Sequence, residues 1–179
     1  AVAGAFTEAV VRSMASSVAR PIILPLSNPT TRAEATPADL LEWTAGKALV
    51  ATGSPFDTVE YDGRTVRIPQ CNNAFIFPGL GLGVIASKAK RVTDGMLSAA
   101  AHALAECSPL EHDPEGALLP MIKDSHAVSR RVALRVAQVA REEGVVFEQS
   151  DADLEQIIEA IFWEPEYVPY HYVDHLDIE

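Results

Sequence analysis

Cysteine is scarce in this chain. Cys71 and Cys107 are the two present in 179 residues, and they form neither a CxxC pair nor a zinc-ligand spacing. That argues against a disulfide-stapled fold and leads us to expect reduced thiols in a cytoplasmic protein. Basic charge is also short. Fourteen Lys and Arg stand against 25 Asp and Glu, for a net charge of -11. Such a surface repels phosphate backbones and anionic lipid, so neither nucleic acid nor a membrane surface is an expected partner. No apolar run is long enough to span a bilayer. The longest, residues 74–86, is broken by Pro78, Gly79, Gly81 and Gly83. A basic start followed by an apolar run, the mark of a secretory leader, is not seen, and neither are repeats or low-complexity tracts.

What is present suits a packed α/β domain. The chain is 48% hydrophobic with a mean hydropathy of +0.09, enough to bury a sizeable core. Residues 6–18 read as a helix with Thr7 as its N-cap. Residues 21–26 are a short apolar run bounded by breakers, as in buried parallel strands. Thr36, Pro37 and Asp39 combine a cap, a first-turn proline and an acidic N3 residue, so a helix starts there and Gly46 ends it. Residues 48–52 form a second apolar strand. Strand, helix and strand within about thirty residues predict a right-handed parallel crossover.

Further along, residues 57–73 are polar, with Asp62-Gly63 as a turn, and read as a surface hairpin. Residues 74–77 read as a third strand, with a helix starting at Pro78-Gly79. Helices follow at 94–106, with Met96, Leu97, Ala100, Ala101 and Leu104 on one face, and at 127–143, with Val128, Val132, Val136 and Val139. Ser150 and Asp153 form a capping pair for a last helix with Leu154, Ile157, Ile158, Ile161 and Phe162 as its stripe. A tail rich in Tyr, Pro, His and Asp closes the sequence. His171 and His175 are four apart near Asp174 and Asp177, but the tail is not patterned as a helix, so a metal site there is not expected.

Three short segments carry the candidate chemistry. Leu26-Ser27-Asn28-Pro29-Thr30 follows the first strand, at the carboxyl end where open α/β sheets bind ligands. Asn28 offers both a donor and an acceptor there. It reads either as a ligand contact, to a hydroxy-acid carboxylate or a nicotinamide ribose, or as an Asn-Pro turn. Thr52-Gly53-Ser54-Pro55-Phe56 follows the second strand and by itself reads as a turn. Asn72 and Asn73, two adjacent carboxamides, precede the apolar run 74–77 and read either as ligand contacts or as loop residues. The spacing Gly79-x-Gly81-x-Gly83 lacks the G-x-G-x-x-G pattern of a phosphate loop, and these glycines are expected to serve close helix–sheet packing. Lys88 and Lys90 read as a solvated helix face, and Arg32 with Glu34 as a surface ion pair.

Taken together, LSNPT at 26–30, ATGSPF at 51–56 and NNAFIFPGLGLG at 72–83 resemble the malic enzyme family. Trp43, Arg91-Val92-Thr93-Asp94 and WEPEY at 163–167 extend the match over nearly the whole chain, and the final segment resembles bacterial members. The resemblance implies a partial Rossmann-like parallel sheet, the second half of a dinucleotide-binding domain, followed by C-terminal helices. The division it suggests is 1–107 for the nucleotide-binding part and 108–179 for a helical extension and tail.

The implied activity is oxidation of L-malate with NAD or NADP and decarboxylation to pyruvate, with Mg2+ or Mn2+ as the cation. Asn28 and Asn72 are the implied substrate-binding residues. Ser27, Asn28 and Asn73 are the implied cofactor-binding residues. The family's metal ligands, its proton-transferring Lys and Tyr, its substrate-clamping Arg and its glycine-rich phosphate loop lie upstream of this segment. No catalytic or metal-binding residue is therefore expected within it, and the segment alone is expected to be inactive. A homo-oligomer is expected for the full-length form. Two alternatives are a malolactic enzyme, which converts malate to lactate, and a non-catalytic assembly or regulatory module.

Overall fold

A computed structural model describes residues 2–167, 169, 170 and 172. Helix α1, Glu8–Ser17, opens as its sequence dictates. The Thr7 hydroxyl oxygen accepts the Val10 amide at 3.5 Å, and Glu8 in the first turn pairs with Arg12. Strand β1, Ile22–Ile23, lies parallel to strand β2, Leu49–Val50, and helix α2, Pro37–Trp43, crosses between them. Thr36 caps α2 by accepting the Asp39 amide at 3.2 Å, with Pro37 in the first turn. The strand–helix–strand order and the parallel pairing are those predicted, but the strands are shorter than the apolar runs. Pro21 and Pro25 have no N–H to give to a ladder. They accept instead, from Leu49 at 2.8 Å and from Gly53 at 3.0 Å, so the two segments stay side by side beyond the regular strands.

The expected third strand at 74–77 is not one. The extended partner of β2 comes earlier: the Thr52 amide donates to the Pro69 carbonyl at 3.0 Å, and the Cys71 amide to the Thr52 carbonyl at 2.8 Å. Asn72 then caps a 3-10 turn over Asn73–Phe75 by accepting the Ala74 amide at 2.9 Å. Helix α3 runs from Phe77 to Ser87 with Pro78 in its first turn. A four-residue apolar run has no period of its own, and here a local side-chain cap and a first-turn proline turn it into helix. Between β2 and this segment sits the predicted hairpin, β3 (Val59–Tyr61) against β4 (Arg64–Val66). Both turn residues, Asp62 and Gly63, have positive φ, as a two-residue hairpin turn prefers.

The remaining helices are α4 (Asp94–Ala105), α5 (Ser125–Glu142) and α6 (Leu154–Ile161). Helix α5 is central and buries Val128, Val132 and Val136 as expected. The glycines of α3 face it. A Cβ on Gly79 would come within 2.7 Å of the Ser129 carbonyl oxygen, and one on Gly83 within 2.6 Å of that of Ala133. The close packing is therefore helix on helix, not helix on sheet, and Gly81 faces open space. Helix α4 buries Met96, Ala99, Ala100 and Ala103, while Leu97 is exposed. Its contact face is turned from the predicted one because alanines allow a closer approach. Asp153, not Ser150, caps α6, accepting the Glu155 amide at 2.9 Å. Ser150 accepts the Ala152 amide in the turn before it. Arg130 of α5 holds Glu159 with two hydrogen bonds and lies 3.6 Å from the Phe162 ring centre, which docks α6.

The apolar interior falls into two main clusters. One joins Val11, Ile23, Leu40, Val50 and Ile68 beneath β1, α2 and β2. The other joins Phe75, Met96, Val132, Val136 and Val146 within the helices. Lys88 sits past the end of α3 in the left-handed region at φ 51, so it is a helix terminus and not part of a face. Trp163, Tyr167, Tyr170 and Tyr172 are exposed. His171, Asp174, His175 and Asp177 lie outside the described residues.

Candidate functional site

Three parallel segments, 21–26, 48–53 and 68–71, end at the same edge. Their following loops carry the residues singled out in the sequence. A cavity of about 360 Å³ lies there, lined by Leu26, Asn28 and Gly53 on one side and by Cys71, Asn72, Asn73, Phe75, Ile76, Leu104 and Leu119 around the rest. Asn72 and Asn73 therefore leave the carboxyl end of an extended segment, where a ligand is expected, instead of entering a strand. Asn72 is the cap and Asn73 the first residue of the 3-10 turn, and both line the cavity.

Each carboxamide has a fixed oxygen. Asn28 Oδ1 accepts the Ser54 hydroxyl, and Asn72 Oδ1 accepts the Ala74 amide. What remains for a visitor is the N–H2 of each, two donors per side chain. Gln70 Nε2 donates to the Gly53 carbonyl at 3.0 Å and so ties the second loop to the third. The Asn28-Pro29 peptide is cis. Gly53 is needed at its place because any Cβ there would strike the Leu26 backbone, which runs directly against it.

Ser27 does not point its hydroxyl at the cavity. It donates to Glu34 Oε1 at 2.5 Å, and the Ser27 amide donates to Glu34 Oε2 at 3.2 Å. Glu34 is buried, at 9% exposure, and does not form the surface pair with Arg32 that adjacency suggested. The reason is geometric: the 3-10 turn Thr30–Arg32 carries the chain back so that residue 34 faces residue 27. The Ser27 hydroxyl holds the Glu34 carboxyl below its ordinary range, outweighing the opposing effect of burial.

A carboxyl with a depressed pKa adds stability above the ordinary carboxylate range and loses it as pH falls through the depressed value. Glu34→Gln should therefore lower the melting temperature at pH 7, by the equivalent of about 1–2 kcal/mol. The gap to the parent protein should close as the pH falls below the ordinary carboxylate range and through the depressed value. Differential scanning across that range checks it; a gap that stays constant with pH assigns the loss to packing alone.

Cys71 and Cys107 are free thiols, and burial pushes both upward. Among the described residues no three His, Cys, Asp or Glu side chains gather as metal ligands, and no carboxylate lines this cavity. No helix among them is long and apolar enough to cross a membrane. The sequence alone places Ser54 in a turn and Glu34 in a surface ion pair, whereas both are buried beside the Asn28 loop. The signal for both was their place beside the Asn28 loop in sequence and in the sheet order.

Residues 1–141 match the family described as malic enzyme, NAD binding domain. The chain belongs to that family. A NAD-dependent malic enzyme of Shewanella baltica is 59% identical over 169 residues, covering 94% of this chain and 30% of that protein. One from Acinetobacter baylyi is 56% identical over 167 residues, covering 93% and 30%. The crystal structure of Entamoeba histolytica malic enzyme superposes with a TM-score of 0.68 at 25% identity, over 88% of this chain and 28% of that one. The malic enzyme from Pyrococcus horikoshii gives 0.62 at 26% identity, over 88% and 31%. The chain thus spans about 30% of the length of the curated relatives it matches. Its α/β fold, with a small parallel sheet and packed helices, is that of the malic enzyme Rossmann-like domain.

Proposed function

We propose that this chain is the part of an NAD-dependent malic enzyme that positions L-malate against the nicotinamide, for oxidation and decarboxylation to pyruvate. The observation that carries the reading is the pair of carboxamides at one cavity, Asn28 and Asn72, each with its oxygen engaged and its N–H2 free. Two oriented donors and no lining carboxylate suit an anionic substrate. Carboxamides do not titrate, so their part is to bind and orient, and correct placement is worth several kcal/mol of barrier. Asn28 and Asn72 take the malate carboxylates. Asn28 and Asn73 face the cofactor as well, while Ser27, its hydroxyl and amide both held by Glu34, serves to fix the loop that carries Asn28.

When bound, NAD supplies the hydride acceptor, and Mg2+ or Mn2+ polarises the carbonyl being decarboxylated. The donor set here is wrong for the cation, whose ligands we place elsewhere in the full-length protein. NAD is favoured over NADP because the relatives named above are NAD-dependent. A cytoplasmic homo-oligomer completes the reading.

The test is product analysis with the full-length protein, L-malate, NAD and Mn2+. Pyruvate formed in step with NADH is expected. Lactate without net NADH would support a malolactic enzyme, and neither product would overturn both. In the same assay Asn72→Ala should raise the malate KM and leave the NAD KM unchanged, while Asn73→Ala should act on NAD. A reversed pattern would exchange the two roles.

A further inference from the structure

We propose that Ser54 is a positioning residue that sets which end of the Asn28 carboxamide meets the substrate. The inference rests on the malate reading above and deepens it. A carboxamide can turn over by half a rotation, exchanging its oxygen and its N–H2 with little change of shape. Pointed one way, Asn28 offers donors to the cavity; pointed the other way, it offers an acceptor and repels a carboxylate.

Ser54 removes that freedom. It is only 5% exposed, so water cannot serve its hydroxyl, and the acceptor it finds is Asn28 Oδ1. Turning the carboxamide over would present N–H2 to a buried hydroxyl and take away the acceptor that it has here. A stranded buried donor is disfavoured, so the donor-outward orientation is the one kept.

The neighbouring backbone holds Ser54 in place. The Thr52 hydroxyl donates to the Ser54 carbonyl at 2.8 Å, and the Gly53 amide donates to the Pro25 carbonyl at 3.0 Å. The absent Cβ of Gly53 lets the Leu26 backbone close in, which brings positions 28 and 54 together across 26 residues of chain. Ser54 itself does not line the cavity. Its effect on a substrate passes through Asn28.

The test is a double-mutant cycle in the full-length protein. Ser54→Ala should raise the malate KM about fivefold to tenfold and change the NAD KM less than twofold. In an Asn28→Ala background the same substitution should change malate kinetics less than twofold, since nothing is left to orient. An equal loss in both backgrounds would show that Ser54 acts structurally and would overturn the proposal, as would no effect of Ser54→Ala in the parent. If Ser54→Ala does not fold, Ser54→Cys keeps the side chain but weakens the donor. An intermediate malate KM is then expected, and a parental one would sink the idea. If Asn28→Ala leaves malate kinetics unchanged, the substrate reading of the cavity fails first, and that outcome is distinguishable from failure of Ser54 alone.

Discussion

Asn28→Ala in the full-length protein is expected to lower kcat/KM for malate by about 3 kcal/mol, roughly 150-fold, because the substrate carboxylate loses a charge-assisted donor. Asn28→Asp is expected to be worse, although it is nearly isosteric. The aspartate can still accept the Ser54 hydroxyl, so the loop keeps its contact. What changes is the other end of the side chain, where N–H2 becomes a carboxylate oxygen facing the substrate's own carboxylate. Two like charges at about 4 Å repel by roughly 1 kcal/mol in water and about 4 kcal/mol near a protein surface. A further tenfold loss or more should follow, with the melting temperature unchanged within about 1–2 °C. Steady-state kinetics of both variants decide the matter. Equal activity in Asp and Ala would mean that no anion approaches Asn28, and unchanged kinetics in both would return it to a structural turn.

The largest stability effect is expected at the seam between α3 and α5. Gly83→Ala puts a methyl group within 2.6 Å of the Ala133 carbonyl oxygen and 2.8 Å of Val136 Cβ. Neither neighbour is the free end of a flexible side chain, so the helices must part. Overpacking of this kind costs about 1–3 kcal/mol, and the gain in helix propensity returns less than about 1 kcal/mol. Gly81→Ala is the control, since its Cβ meets nothing within 4 Å. That variant should be neutral or more stable by about 0.5–1 kcal/mol. Denaturant unfolding of the two variants should therefore shift in opposite directions. Shifts of the same sign would refute the seam.

Much of this was legible in the residues. Thr36, Pro37 and Asp39 announced α2 because capping is local chemistry that tertiary contacts do not change. Asp62-Gly63 announced the hairpin for the same reason. Asn28, Asn72 and Asn73 were identified as candidates, and the fold brings them to one cavity. The run at 74–77 misled because four apolar residues carry no decisive period, and its fate was set by the Asn72 cap and Pro78. The glycines of α3 were read as packing positions, but their partner is a helix fifty residues away that only the tertiary structure reveals. Glu34 was misread because its burial depends on a turn at 30–32 that bends the chain back on itself.

The two sides of the cavity belong to different apolar clusters. Asn28 and Ser54 hang from the cluster around Ile23, Leu40 and Val50, whereas Asn72 and Asn73 are anchored by Phe75 to the cluster around Val132. If the cavity takes malate as proposed, grip on that ligand becomes a gauge of how well the two apolar clusters stay in register. A binding screen doubles as a screen for packing defects at positions such as Leu40 or Val132, which lie outside the cavity lining.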